Sequence, residues 1–276
     1  MRDEEGRVAS GERRMGTATE RQSADASAGR ALTLFGVAFD LRLTLLIVFS
    51  TVVPMLDFYG HSPTGVKAWD RFLFYFVGSA LFIWLVYREP LANFGFRLGD
   101  WRRGLLLTVA ACALMIPVLW LAARSPAMQV FYQAKVTTTL TRLTLLNGVE
   151  LFGWEFIWRG LVLFGLARAL GPGPAIFLQA VPFAFMHLGK PEIETLSTIF
   201  GGAAFGLIAW RTRSFVYPWL IHWFIVTFTL LVAVGWICRR AHAKARRGQG
   251  AKEEKKESLL LFFFAPSPLS AFALAS

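Results

Sequence analysis

Four ionisable side chains fall inside apolar stretches of near-membrane length. Glu155 and Arg159 lie in the run Trp154-Glu155-Phe156-Ile157-Trp158-Arg159-Gly160, and His187 and His222 lie in two later runs. On insertion scales an Asp, Lys or Arg at a helix centre costs roughly 2.5–3.5 kcal/mol, so such groups point to use rather than accident. An i,i+4 pair of Glu155 with Arg159 accounts for those two charges by neutralisation. It leaves the two imidazoles unexplained. A carboxylate and two imidazoles at one depth can activate water in two ways. Glu155, His187 and His222 can hold Zn²⁺ with an open coordination position. Alternatively Glu155 acts as general base, without a metal, on a water that the imidazoles orient.

The elements that must deliver these groups follow from composition. The chain has 276 residues, a mean hydropathy of +0.49 and only 17% charged residues, where a soluble domain carries nearer a quarter. Lipid admits only helices and closed barrels, and the apolar runs here are long and continuous rather than alternating as barrel strands do. The expected fold class is therefore all-α, a polytopic transmembrane helical bundle. Seven spans are expected, at about 43–59, 72–87, 104–123, 144–169, 174–189, 194–210 and 214–237, each near the ~20 residues that cross a 30 Å core. Breaks between them are marked by Arg88-Glu89-Pro90, Gly171-Pro172-Gly173-Pro174, Gly189-Lys190-Pro191 and Arg211-Thr212-Arg213. Counting back from the turns near 170–174 and 210–214 puts Glu155, His187 and His222 roughly 22, 20 and 12 Å deep. The small-residue run Gly202-Ala203-Ala204-Phe205-Gly206 reads as a face for close helix packing.

Outside the spans, residues 1–30 read as a disordered polar tail, and 31–237 as a transmembrane domain with its chemical core at 140–237. Residues 238–276 read as a basic tail, within which 258–276 leaves room for an eighth segment. The formal net charge of +11 owes much to Arg239, Arg240, Lys244, Arg246, Arg247, Lys252, Lys255 and Lys256. A basic cluster directly after an apolar segment is expected to meet anionic lipids rather than nucleic acid, for which no motif is visible. Membrane orientation stays open, because Arg88, Arg97, Arg102 and Arg103 argue against the side that the tail favours. Cys112 and Cys238 make neither a disulfide framework nor a thiolate metal site.

With Phe183-Ala184-Phe185-Met186-His187 and His222, the Trp154–Gly160 run resembles the three motifs of the CAAX-protease and bacteriocin-processing (Abi) intramembrane protease family. The family forms are EExxxR, FxxxH and HxxxN/B on the fourth, fifth and seventh helices, in the order found here. The resemblance, to a type II CAAX prenyl endopeptidase, covers about residues 140–237. It implies an intramembrane endopeptidase in which Glu155 and Arg159, His187 and His222 form the site. Two positions depart from the pattern. Trp154 replaces the first glutamate, which is the family's usual catalytic carboxylate, and Val226 replaces the asparagine; Glu150, one turn earlier, is a candidate substitute for the lost carboxylate.

The expected function is hydrolysis of a peptide bond in a membrane-anchored peptide or protein, at the cell membrane, with or without Zn. A catalytically silent scaffold or immunity protein on the same bundle is the rival favoured by Trp154 and Val226. A proton-coupled transporter using Glu155, His187 and His222 as a relay is the third reading; the internal repeats it would use are not visible. Lys190, Glu194 and Arg213 flank the motifs and read as solvated loop charges, with a place at the mouth of the site as the alternative.

Overall fold

The computed structural model describes residues 31–235, so the expectations for the 1–30 tail, the basic 238–276 tail and an eighth segment at 258–276 lie outside the described residues. Ahead of the first span stands an element that the sequence reading leaves out, an antiparallel hairpin of β1 (Ala31–Leu34) and β2 (Val37–Asp40). Phe35 and Gly36 both have positive φ, the geometry of a two-residue hairpin turn that matches strand twist. Asp40 closes β2 and caps the next helix, its carboxylate accepting from the Leu43 N–H at 3.0 Å.

Eight helices follow among the described residues, besides a single 3-10 turn at Leu91–Phe94. They are α1 (Leu41–Phe58), α2 (Lys67–Tyr87), α3 (Trp101–Ala122), α4 (Pro126–Ala134), α5 (residues 140–170), α6 (Pro172–Phe185), α7 (Glu192–Thr212) and α8 (Val216–Ala233). The polytopic all-α bundle is thus present, with the hairpin as its one β element among the described residues. Five helices, α1, α2, α3, α7 and α8, are long and apolar enough to cross a membrane. The expected fourth span is α5. The expected fifth is shorter than the sequence suggests: α6 ends at Phe185, about 21 Å from its start at 1.5 Å per residue, short of a 30 Å core. His187 therefore lies in the turn beyond the helix, not on its face.

Helix ends divide the bundle into two faces. Tyr87, Trp101, Leu170, Thr212 and Val216 end or begin helices on one face, tied by Asp100 N–H to Thr212 O (3.0 Å), Phe215 N–H to Gly95 O (3.2 Å) and Tyr217 O–H to Leu98 O (2.7 Å). Phe58, Lys67, Ala122, Leu140, Glu192 and Ala233 lie at the other, where α4 packs beside the end of α8. These breaks fall at the predicted signals, with Arg88, Gly171, Gly189 and Arg213 all at positive φ.

The central helix is α5, buried on every side from Gly153 to Leu166, while α1, α2, α3 and α7 turn apolar residues such as Val52, Leu85, Leu106 and Phe200 outward. A helix apolar all round belongs in the middle of such a bundle, and apolar outer faces are what lipid requires. Two glycine contacts set the packing. A Cβ on Gly153 would stand 2.8 Å from the Arg71 carbonyl of α2, and one on Gly202 would stand 2.9 Å from Ala180 Cβ of α6. The predicted small-residue face of α7 is accordingly the face that α6 lies against.

Candidate active site

The site is built on α5. Its regular helix Leu140–Glu155 passes into a π-helical stretch, Phe156–Val162, before α-helix resumes at Leu163. Such wide turns are frequent at functional positions. Here the stretch begins immediately after Glu155 and carries Arg159. The two side chains pair as expected, with Arg159 Nε 3.2 Å from Glu155 Oε2 and Nη1 donating to Oε1 at 3.3 Å, both at 0% exposure. Arg159 Nη2 finds no hydrogen-bond partner. Its guanidinium instead lies 4.0 Å from the Phe183 ring centroid and 5.2 Å from that of Phe205, and those π faces offset part of the desolvation.

From α8, His222 meets the same carboxylate, its Nδ1 2.6 Å from Glu155 Oε1. The turn after α6 brings His187, whose Nδ1 lies 2.7 Å from the Phe183 carbonyl. A carbonyl can only accept, so His187 Nδ1 carries the proton and Nε2 keeps its lone pair. An ionised Glu155 imposes the same arrangement on a neutral His222. The two rings are 6.4 Å apart, centroid to centroid. Glu155, Arg159, His187 and His222, drawn from one sequence pattern, thus form one cluster.

Above them opens a cavity of about 530 Å³, on the face where α2 and α7 begin. His187 and His222 line its depth beside Trp154, and Glu150, Lys67, Arg71, Lys135 and Lys190 line the rest. Glu155 does not line it. Glu155 instead reaches Arg159 and His222 Nδ1, and His222 lines the cavity. Trp154 occupies the place of the missing first glutamate on that wall, with its ring centroid 6.2 Å from His187. Val226 also lines the cavity, while Thr227 Oγ1 is buried elsewhere without a partner.

Glu150 reaches the cavity but is engaged by Arg71 of α2, which also bonds Asp57 of α1 through Nε at 2.9 Å. Sequence reading passes over Arg71 and Asp57. Their signal is an acid and a base at facing ends of consecutive apolar runs. Lys190 lines the cavity and pairs with Glu194 at 2.6 Å; Glu194 also accepts from Tyr132 Oη at 2.8 Å. Burial, then the Glu194 carboxylate, push the Tyr132 phenol far above its ordinary range. Arg213 is not at this mouth. It lies on the opposite face, against Trp210.

The expected Zn ligands do not meet as a set. Glu155 is taken up by His222 Nδ1 and Arg159, His187 Nδ1 by a carbonyl, and no three His, Cys, Asp or Glu groups among the described residues are placed to hold a metal.

A helical bundle with five helices long and apolar enough to cross a membrane thus buries a Glu–Arg pair, couples it to one imidazole and places a second 6.4 Å from the first, beside an open cavity, a set of groups able to activate water. In the comparison with protein families, residues 133–228 match the family described as Type II CAAX prenyl endopeptidase Rce1-like. The matched segment runs from the end of α4 to Phe228 and contains every residue of the cluster. No curated protein and no solved structure matches the chain.

Proposed function

We propose that this protein is an intramembrane endopeptidase of the cell membrane that hydrolyses a peptide bond in a membrane-anchored peptide or protein. The observation that carries the reading is the 2.6 Å contact of His222 Nδ1 with Glu155, beside a cavity that both imidazoles line. In this arrangement Glu155 orients His222 and offsets the charge its ring gains on taking a proton, as an acid behind a catalytic histidine does. His222 Nε2, directed away from Glu155, takes a proton from water as that water adds to the substrate carbonyl carbon. His187 Nε2 accepts the water's other hydrogen and orients it; rings 6.4 Å apart can share one water at roughly 2.8 Å from each nitrogen. The proton on His222 then passes to the leaving amine as the C–N bond breaks. The role given to Glu155 is that of a positioning residue. Lys67, Arg71, Lys135 and Lys190 give the cavity a cationic wall suited to a substrate that ends in a carboxylate, as a CAAX terminus does.

A second reading has its own observation. Trp154 fills the cavity wall where the family pattern has a carboxylate, and a protein with this wall that binds a lipidated peptide without cutting it would serve as a scaffold or immunity protein. Incubating the purified protein in detergent with a farnesylated peptide library, beside His222→Ala, separates the two. Cleavage that disappears in the variant supports the endopeptidase. Equal binding by both proteins with no cleavage supports the silent one.

A further inference from the structure

On the face opposite the catalytic cavity lies a second pocket, of about 260 Å³, to which neither the cluster nor the proposed reaction assigns a role. Its polar lining is unusual in composition. Arg97, Arg168 and Arg213 converge on it from the α2–α3 connection, the end of α5 and the end of α7, alongside Asn93, Phe164 and Trp210. One nearby carboxylate, Glu89, is gripped by Arg168 with two bonds of 2.6 and 2.9 Å. Those bonds hold the Glu89 carboxyl below the usual carboxylate range. Arg97 and Arg213 have no acidic partner among the described residues.

The cations are held in place. Arg97 Nε donates to the Arg213 main-chain carbonyl at 3.2 Å, which brings the Arg97 side chain to the end of α7. The Arg213 guanidinium lies 4.1 Å from the Trp210 ring centroid and that of Arg168 lies 4.4 Å from Phe94. Arg213 itself sits in the left-handed region at φ 56°. Repelling cations gathered without enough acid to neutralise them are a standing cost, which an anion at the centre would relieve. The level matters too. The pocket lies where α2, α5 and α7 end and α3 and α8 begin, with Trp101 56% and Leu98 65% exposed nearby, the depth of a bilayer's headgroups.

The geometry points to a phosphate-binding site formed by Arg97, Arg168 and Arg213, filled by the phosphate of an anionic lipid headgroup or by soluble phosphate. The forked guanidinium donors suit phosphate oxygens, and a volume of about 260 Å³ admits a headgroup rather than a whole lipid. The site is independent of the peptidase reading, since none of its residues touches the catalytic cavity.

The test uses the full chain in neutral detergent and follows its melting temperature against dioctanoyl phosphatidylglycerol, dioctanoyl phosphatidylcholine and inorganic phosphate. The expected result is a saturable rise with phosphatidylglycerol of about 5 °C or more near 100 times Kd, and less with phosphatidylcholine. Arg97→Gln with Arg213→Gln should remove that rise, whereas Arg102→Gln with Arg103→Gln, on the same face outside the pocket, should keep it. The basic tail is present in every variant, so its own attraction for lipid cannot account for the difference. A rise with inorganic phosphate that the Arg97/Arg213 variant loses supports the site and names the soluble source. Should the double variant not fold, each single variant must lose part of the rise. No rise with any ligand, or an equal rise in wild type and the pocket variants, overturns the site.

Discussion

At the scale of single residues, the cluster separates groups that face the cavity from groups that hold them. His187→Ala and His222→Ala remove cavity-facing bases and little packing, so each is expected to lower peptidase activity by about 10²-fold or more while the protein still accumulates in the membrane. Normal activity in both variants would contradict the assignment. Glu155→Gln and Arg159→Leu break a pair that is 0% exposed and should lower stability as well as activity, by about 3–5 kcal/mol on the scale of soluble proteins. Wild-type melting behaviour in Arg159→Leu would mean the pair is not formed. Glu150→Gln leaves Arg71 its bonds to Asp57, so its expected effect is a loss under about tenfold, well short of the histidine variants. A loss equal to that of His222→Ala would move the base to Glu150 and would show that the carboxylate displaced from position 154 survives one turn away.

At the scale of elements, the central helix works because α2 can lie directly on it. Gly153 is where the two meet, and an added methyl group there would press on the Arg71 backbone at 2.8 Å. Gly153→Ala is therefore expected to destabilise by about 1–3 kcal/mol and to disturb Arg71, Trp154 and the cavity wall with it. Gly201→Ala is the matched control, because nothing lies within 4 Å of its added Cβ and helix propensity alone should make it neutral or stabilising. If thermal melting ranks the two variants the other way round, the α2–α5 crossing is not as close as described. The role of Gly153 is close approach, and the irregularity of α5 sits after it, at Phe156–Val162.

At the scale of the whole molecule, the alternation of helices puts the catalytic cavity and the arginine pocket on opposite faces. In a background of Cys112→Ser and Cys238→Ser, Ser62→Cys and Ser125→Cys should react with a membrane-impermeant thiol reagent from one side, and Asn93→Cys only from the other. Labelling of all three from one side would break the proposed topology. The same experiment decides which face is cytoplasmic, a question the basic residues leave open because both faces carry them.

Sequence by itself determined that this chain is a helical membrane protein, where its helices break, and that Glu155, Arg159, His187 and His222 belong together. The first two are carried by hydropathy and by Gly, Pro and charge at the turns, and the Glu155–Arg159 pair by i,i+4 spacing, all of which act over one helix or one turn; the two histidines join that pair only through common depth and the order of the motifs they resemble. Only the tertiary structure decided which group of the cluster lines the cavity. A carboxylate buried on α5 can turn to an arginine on its own helix or to open space, and His222, arriving 67 residues later on α8, takes the cavity side. The same holds for Arg71 on Glu150 and for the three arginines at the opposite face. Arg71 and Glu150 stand 79 residues apart in the chain and the three arginines on three separate elements, and no local pattern encodes a meeting that packing alone brings about.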